Sequence, residues 1–126
     1  MAKFSVEFIP ERQALLLTEY ADFKLGTDGK DLTEAIKRAF GQYHDLCFVV
    51  VDSRASTFSF DDLLVGVNHV AKELTPLPLR AFVIVSSNLA KQAAAKGMQH
   101  DIFGHIPSAS FSTMEEAFNY IDMIRD

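Results

Sequence analysis

The residues best placed for chemistry fall in three hydroxyl-rich segments. These are Asp52-Ser53-Arg54 with Ser56 and Thr57, then Ser86-Ser87-Asn88, then Ser110 with Ser112 and Thr113. Each lies where an apolar run gives way to a helical pattern, and open α/β sheets bind ligands at the carboxyl ends of their strands. A helix N-terminus at such an edge offers free N–H groups and a positive dipole end, which favour an anion. Arg54 would add a cation. Ser, Thr and Asn are also the ordinary helix-capping residues. The rim Asp52, Ser53, Arg54, Ser56, Ser59, Ser86 and Ser87 is therefore read first as helix capping and second as an anion- or partner-binding edge.

Other chemistry finds less support. Asp52 at a strand end could be a phosphoacceptor, but that chemistry needs an acidic pair for Mg²⁺ and a lysine at a later strand end. The later ends carry Ser86 and Ser110. His100 and His105, with Asp101 between them, share a helical face only if a helix survives Gly97 and Gly104, so they are read as surface histidines. His44 and His69 are isolated. Cys47 has apolar neighbours and no adjacent base, so it is expected to be a core residue rather than a nucleophile. No glycine-rich phosphate loop, GxSxG or CxxC occurs. No enzyme, metal or cofactor is expected.

Two apolar segments remain. Phe58 and Phe60 flank Ser59, and Leu64 follows one turn later. Phe58 and Leu63 sit at the N′ and N4 positions of a hydrophobic staple, and Phe60 falls on the helix's buried arc, so both rings have a packing role open to them as well as a ligand-gripping one. Met98, Ile102 and Phe103 lie in a segment bounded by Gly97 and Gly104. Such a segment can plug the core or act as a flap over an apolar space.

The chain has 126 residues, one domain's worth, with 48% apolar and 23% charged residues. That composition excludes disorder. A formal charge of −5 without a basic run argues against nucleic acid and against strong attraction to anionic bilayers. A single cysteine makes no internal disulfide, and the N-terminus Met-Ala-Lys-Phe-Ser lacks a signal-peptide core. A cytoplasmic location is expected, with peripheral membrane contact and a homodimer both compatible.

The elements that must position these residues follow from periodicity. Phe4–Ile9 alternates as a half-buried strand, and Pro10-Glu11-Arg12 turns into a second strand over Ala14–Tyr20, making an antiparallel hairpin. Gly26-Thr27-Asp28-Gly29 reads as a break before a helix that runs to about His44. The continuous apolar run Leu46–Val51, ending at Asp52, predicts a central strand covered on both faces. Ser59 caps a second helix with Leu63, Val67, Val70, Ala71 and Leu74 inward. Ala81–Val85 is a second fully buried strand, Leu89–Lys96 a third helix, and Ala109–Phe111 a short edge strand. Ser112-Thr113-Met114-Glu115 reads as the capping box of a last helix, with Ala117, Phe118, Ile121 and Ile124 inward. The order β-β-α-β-α-β-α-β-α predicts a single α/β domain with a mixed, mostly parallel sheet and packed helices.

That order, with Phe48-Val49-Val50-Val51-Asp52, Arg80-Ala81-Phe82-Val83-Ile84-Val85 and the closing segment Phe111–Ile121, resembles the STAS domains of anti-sigma-factor antagonists and sulphate-transporter tails. It is most similar to their SpoIIAA-like branch, a bacterial type whose fold is also compared with lipid-binding Sec14 domains. Antagonist-type members carry a phosphorylatable serine in an Asp-Ser-Ser/Thr-Gly motif; here that region is Phe58-Ser59-Phe60-Asp61-Asp62, so Ser59 is expected to be a cap. The resemblance implies a non-enzymatic module that binds a small apolar or lipid-like ligand, or a membrane surface, through Phe58, Phe60, Leu64, Met98, Ile102 and Phe103. The alternative is a protein-interaction regulator acting through the strand-end serine rim.

Overall fold

A computed structural model describes residues 3–57, 60–89, 91–93 and 107–125, with side chains at all of these except 26, 60–65 and 67. Strand β1 (Phe4–Ile9) pairs antiparallel with β2 (Ala14–Glu19) across a 3-10 turn at Pro10–Arg12. Proline fixes the first φ of that turn, and Gln13 leaves it at φ 54° with its N–H donating to Pro10 O. Strands β3 (Phe48–Asp52), β4 (Ala81–Val85) and β5 (Ser108–Phe111) then add in parallel, giving the sheet order β1-β2-β3-β4-β5. The mixed, mostly parallel sheet matches the architecture read from the sequence.

Helix α1 (Leu25–Gln42) joins β2 to β3, and α2 (Phe60–Leu74) joins β3 to β4. Right-handed crossovers between strands laid down in spatial order put the intervening helices on one face. Accordingly Leu32, Ile36 and Ala39 of α1 and Val70, Ala71 and Leu74 of α2 share one core with Leu15, Leu17, Val49, Val51 and Phe82. The closing helix α3 (Met114–Arg125) covers the opposite face, where Ala117 and Ile121 meet Ala14, Phe48, Val50, Val83 and Val85. All four positions from Phe48 to Val51 are buried, as a strand covered on both sides requires.

Several boundaries depart from the sequence reading. Gly26-Thr27-Asp28-Gly29 lies inside the first turns of α1 rather than before it. The Asp28 carboxylate accepts the Lys24 N–H at 2.8 Å, so the acidic residue satisfies the helix start from within. The last capping box is shifted by one residue. Thr113 Oγ1 accepts the Glu116 N–H at 3.2 Å and donates to Glu116 Oε1 at 3.0 Å, so Thr113, not Ser112, is the cap. Cys47 precedes β3, is only half-buried, and donates its Sγ–H to Asp45 O at 3.3 Å. Residues 89 and 91–93 are helical, and the rest of the expected Leu89–Lys96 helix lies outside the described residues.

Gly66 lies where α2 comes close to the start of α1. A Cβ there would overlap the Leu25 side chain, so α2 rests on the start of α1 through bare backbone. Further along, Thr33 donates its proton to Lys30 O at 2.9 Å. His69 Nε2 lies 3.3 Å from the same hydroxyl and must then be the donor, which fixes its protonated nitrogen.

Candidate functional site: a buried polar layer at the carboxyl edge

The carboxyl ends of β2, β3 and β4 finish level. Thr18 pairs with Asp52, and Asp52 with Val85, which in turn pairs with Phe111. One residue further on, Ser53 N–H donates to Val85 O and Ser86 N–H to Phe111 O, each at or below 2.9 Å, so the ladder continues beyond the strands. This next layer consists of Glu19, Ser53 and Ser86, exposed by only 3%, 3% and 2%. The layer after it is Tyr20, Arg54 and Ser87, and all three are exposed.

Buried polar groups at a sheet edge need partners, and here they supply one another. Ser53 Oγ donates to Glu19 Oε1 at 2.6 Å and Ser56 Oγ donates to the same oxygen at 2.7 Å. Lys91 reaches in from the helical turn after β4. Its ammonium donates to Ser53 O, Ser53 Oγ and Ser56 O at 2.8 Å each, and to Ser56 Oγ at 3.1 Å. Lys91 is itself buried. Two serines thus bridge a buried acid and a buried base, and one loop is pinned from both sides.

The electrostatics show which effect prevails. Burial raises the Glu19 pKa above its ordinary value, against the opposing hydrogen bonds from Ser53 and Ser56 and the charge of Lys91. Burial likewise lowers the Lys91 pKa, against the attraction of Glu19. For both groups desolvation outweighs pairing. The two charges are held in place by the fold and its hydrogen bonds more than by each other.

The outer layer is built differently. Arg54 Nε and Nη2 donate to Asp52 Oδ1 and Oδ2 at 2.9 and 2.8 Å, a bidentate fork that holds the Asp52 carboxyl below its usual range. Ser86 Oγ accepts the Asn88 N–H at 3.0 Å, and Asn88 Oδ1 accepts the Lys91 N–H at 3.1 Å. Asn88 therefore caps the turn that carries Lys91. Leu89, next to it, is 81% exposed, and Tyr20 is 44% exposed.

The rim read from the sequence is thus divided. Ser53 and Ser56 turn inward, Ser86 is buried, Asp52 is half-buried under its Arg54 fork, and Arg54 and Ser87 are exposed. Of the apolar set, Phe60 and Leu64 belong to α2 by their backbone, while their side chains and Phe58, Met98, Ile102 and Phe103 lie outside the described residues, as do Ser59, His100 and His105. Among the described residues, no group of three acidic, histidine or cysteine side chains is arranged to hold a metal ion, and no helix is long and apolar enough to cross a membrane.

The chain matches no family model, no characterised protein and no solved structure. The resemblance to STAS domains rests on the residues quoted above alone.

Sequence reasoning missed Glu19 and Lys91. One signal was available for Glu19: it continues the inward parity of Leu15 and Leu17, so a charge falls on the buried face of a strand. Lys91 offers none, because a lysine in a helical turn is ordinarily solvated.

Proposed function

We propose that this protein is a non-enzymatic interaction module that docks a protein partner on the carboxyl edge of its sheet. One observation carries the reading: a buried, mutually hydrogen-bonded polar layer ends the sheet, and the residues that follow it, Tyr20, Arg54 and Ser87, are exposed, as is Leu89 two positions after Ser87. Tyrosine and arginine dominate binding energy in protein interfaces because they combine large contact area with directed hydrogen bonds. The partner surface that fits is an apolar hollow for Leu89 flanked by an acceptor for the free face of the Arg54 guanidinium. The acidic net charge disfavours a nucleic-acid backbone or an anionic bilayer as the occupant. Action through the strand-end edge is the alternative set out from the sequence, in the manner of the STAS antagonists, with Ser53 and Ser56 now supports rather than contacts. The apolar-ligand alternative draws on side chains outside the described residues, so the edge is the better supported of the two.

The test is site-specific photo-crosslinking in the native host, with the probe at Ser87 or, as a control at the opposite end of β3, at Asp45. A defined protein adduct from position 87 that is absent from position 45 and lost in Leu89→Asp supports the reading. Equal labelling from both positions, or none, overturns it. Native mass spectrometry of the purified protein distinguishes the alternative, which requires a co-purifying lipid or fatty acid.

A further inference from the structure

We propose that the Glu19–Ser53–Ser56–Lys91 cluster is a latch: the loop at 53–57 and the helical turn carrying Lys91 open together, hydrating the cluster while the sheet stays folded. The geometry carries the argument. Glu19, Ser53, Ser56 and Lys91 are at most 4% exposed, yet only Glu19 belongs to a strand, as the last residue of β2; Ser53 and Ser56 lie in the loop after β3 and Lys91 in the turn after β4. The bonds that hold the cover down converge on one lysine, whose ammonium grips both serines through their carbonyls and hydroxyls. A lysine stem is long enough to carry its charge out to water without moving the backbone far. The closed state also holds an acid and a base against the cost of burial, as the opposite shifts of Glu19 and Lys91 indicate. Hydration repays that cost, which an apolar core of the same size would not recover. Buried polar groups under loops are the units that open locally at free energies below global unfolding.

The consequence for docking rests on the reading above: the opening displaces Arg54, which lies inside the latched loop, and so lets the edge change shape on a partner. The opening itself is a property of the protein alone.

Amide hydrogen exchange by NMR on the free protein tests the latch. Reporter amides are Ser53, bonded to Val85 O, and Lys91 and Gln92, bonded to Asn88. The expected result is that these three share one opening rate at least about tenfold faster than Val50 in the centre of β3. Lys91→Met should raise that shared rate further and leave Val50 exchange governed by global unfolding. If the three amides exchange only with Val50, at the same rate and with the same denaturant dependence, the cluster is part of the rigid core and the latch is refuted. Lys91→Arg, which keeps the charge and its donors, checks that the effect is not a folding defect: it should restore slower exchange relative to Lys91→Met, and failure to do so also counts against the latch. A latch without a crosslinked partner would refute docking alone, and a partner without a latch would refute this inference alone.

Discussion

Replacing Lys91 by methionine removes the ammonium and leaves most of the stem. The structure argues that most of the loss comes from orphaned oxygens and a smaller part from Glu19 losing its cation. The carbonyls of Ser53 and Ser56 both accept from Lys91 at 2.8 Å in a buried setting. Leaving a buried acceptor unsatisfied costs about 1–3 kcal/mol, so two of them suggest about 2–6 kcal/mol before relaxation. Against this, the burial cost of the ammonium disappears, in the direction its lowered pKa indicates. A net loss of about 2–3 kcal/mol is expected, of the order seen when one partner of a buried pair is removed. Glu19→Gln should cost less, about 1 kcal/mol, because the amide oxygen still accepts both serine hydroxyls. The double variant is the discriminating one. With Lys91 gone, Glu19 is a buried charge without its cation, so Glu19→Gln should recover part of the loss. Urea unfolding of the four proteins at neutral pH gives the cycle. Strict additivity, or a double variant weaker than the sum, would refute the reasoning, since the groups would then be acting independently or through some other contact.

Val50→Asp should prevent cooperative folding, because Val50 is fully buried in the core beneath α3 and an unpaired charge there costs several kcal/mol; a sharp thermal transition near that of the wild type would contradict the central strand. Gly66→Ala should destabilise by about 1–3 kcal/mol through overlap with Leu25, yet stabilise in a Leu25→Ala background, where the helix-propensity gain of alanine is free to act. Acid titration should separate two carboxyls. Asp52 has a depressed folded pKa, so its contribution is present above its unfolded pKa and lost as pH falls through the folded one; Arg54→Ala should remove that dependence. Glu19 has a raised folded pKa, so its contribution is present below its unfolded pKa and lost as pH rises through the folded one; Glu19→Gln should abolish that opposite slope.

The fold was legible because its strongest signals were periodic. Alternation in Phe4–Ile9 named a half-buried strand, although Val6 proves exposed; the unbroken runs Phe48–Val51 and Ala81–Val85 named two central strands, and the helical spacing of Ala117 and Ile121 set the inner face of α3. Boundaries failed where local chemistry had two meanings. Gly26 and Gly29 look like breakers, but Asp28 satisfies the Lys24 N–H from inside the helix. Ser112 and Thr113 can each open a capping box, and only the Glu116 contact selects Thr113. The site was half visible. Ser53 and Ser56 stood out as strand-end hydroxyls, but their direction was hidden, because what turns them inward is Glu19 from an earlier strand and Lys91 from a later turn. Such pairings depend on the register of three neighbouring strands, which no local pattern encodes.

Both the docking edge and its latch depend on one lysine being buried against the 53–56 loop. The most direct measurement is NMR of the Lys91 side-chain nitrogen, assigned by its loss in Lys91→Met. The account predicts a slowly exchanging ammonium with through-space contacts to the Ser53 and Ser56 side-chain protons, and a titration midpoint below that of the surface lysines. A Lys91 signal that exchanges freely with water, shows no contact to either serine and titrates with the surface lysines would contradict it.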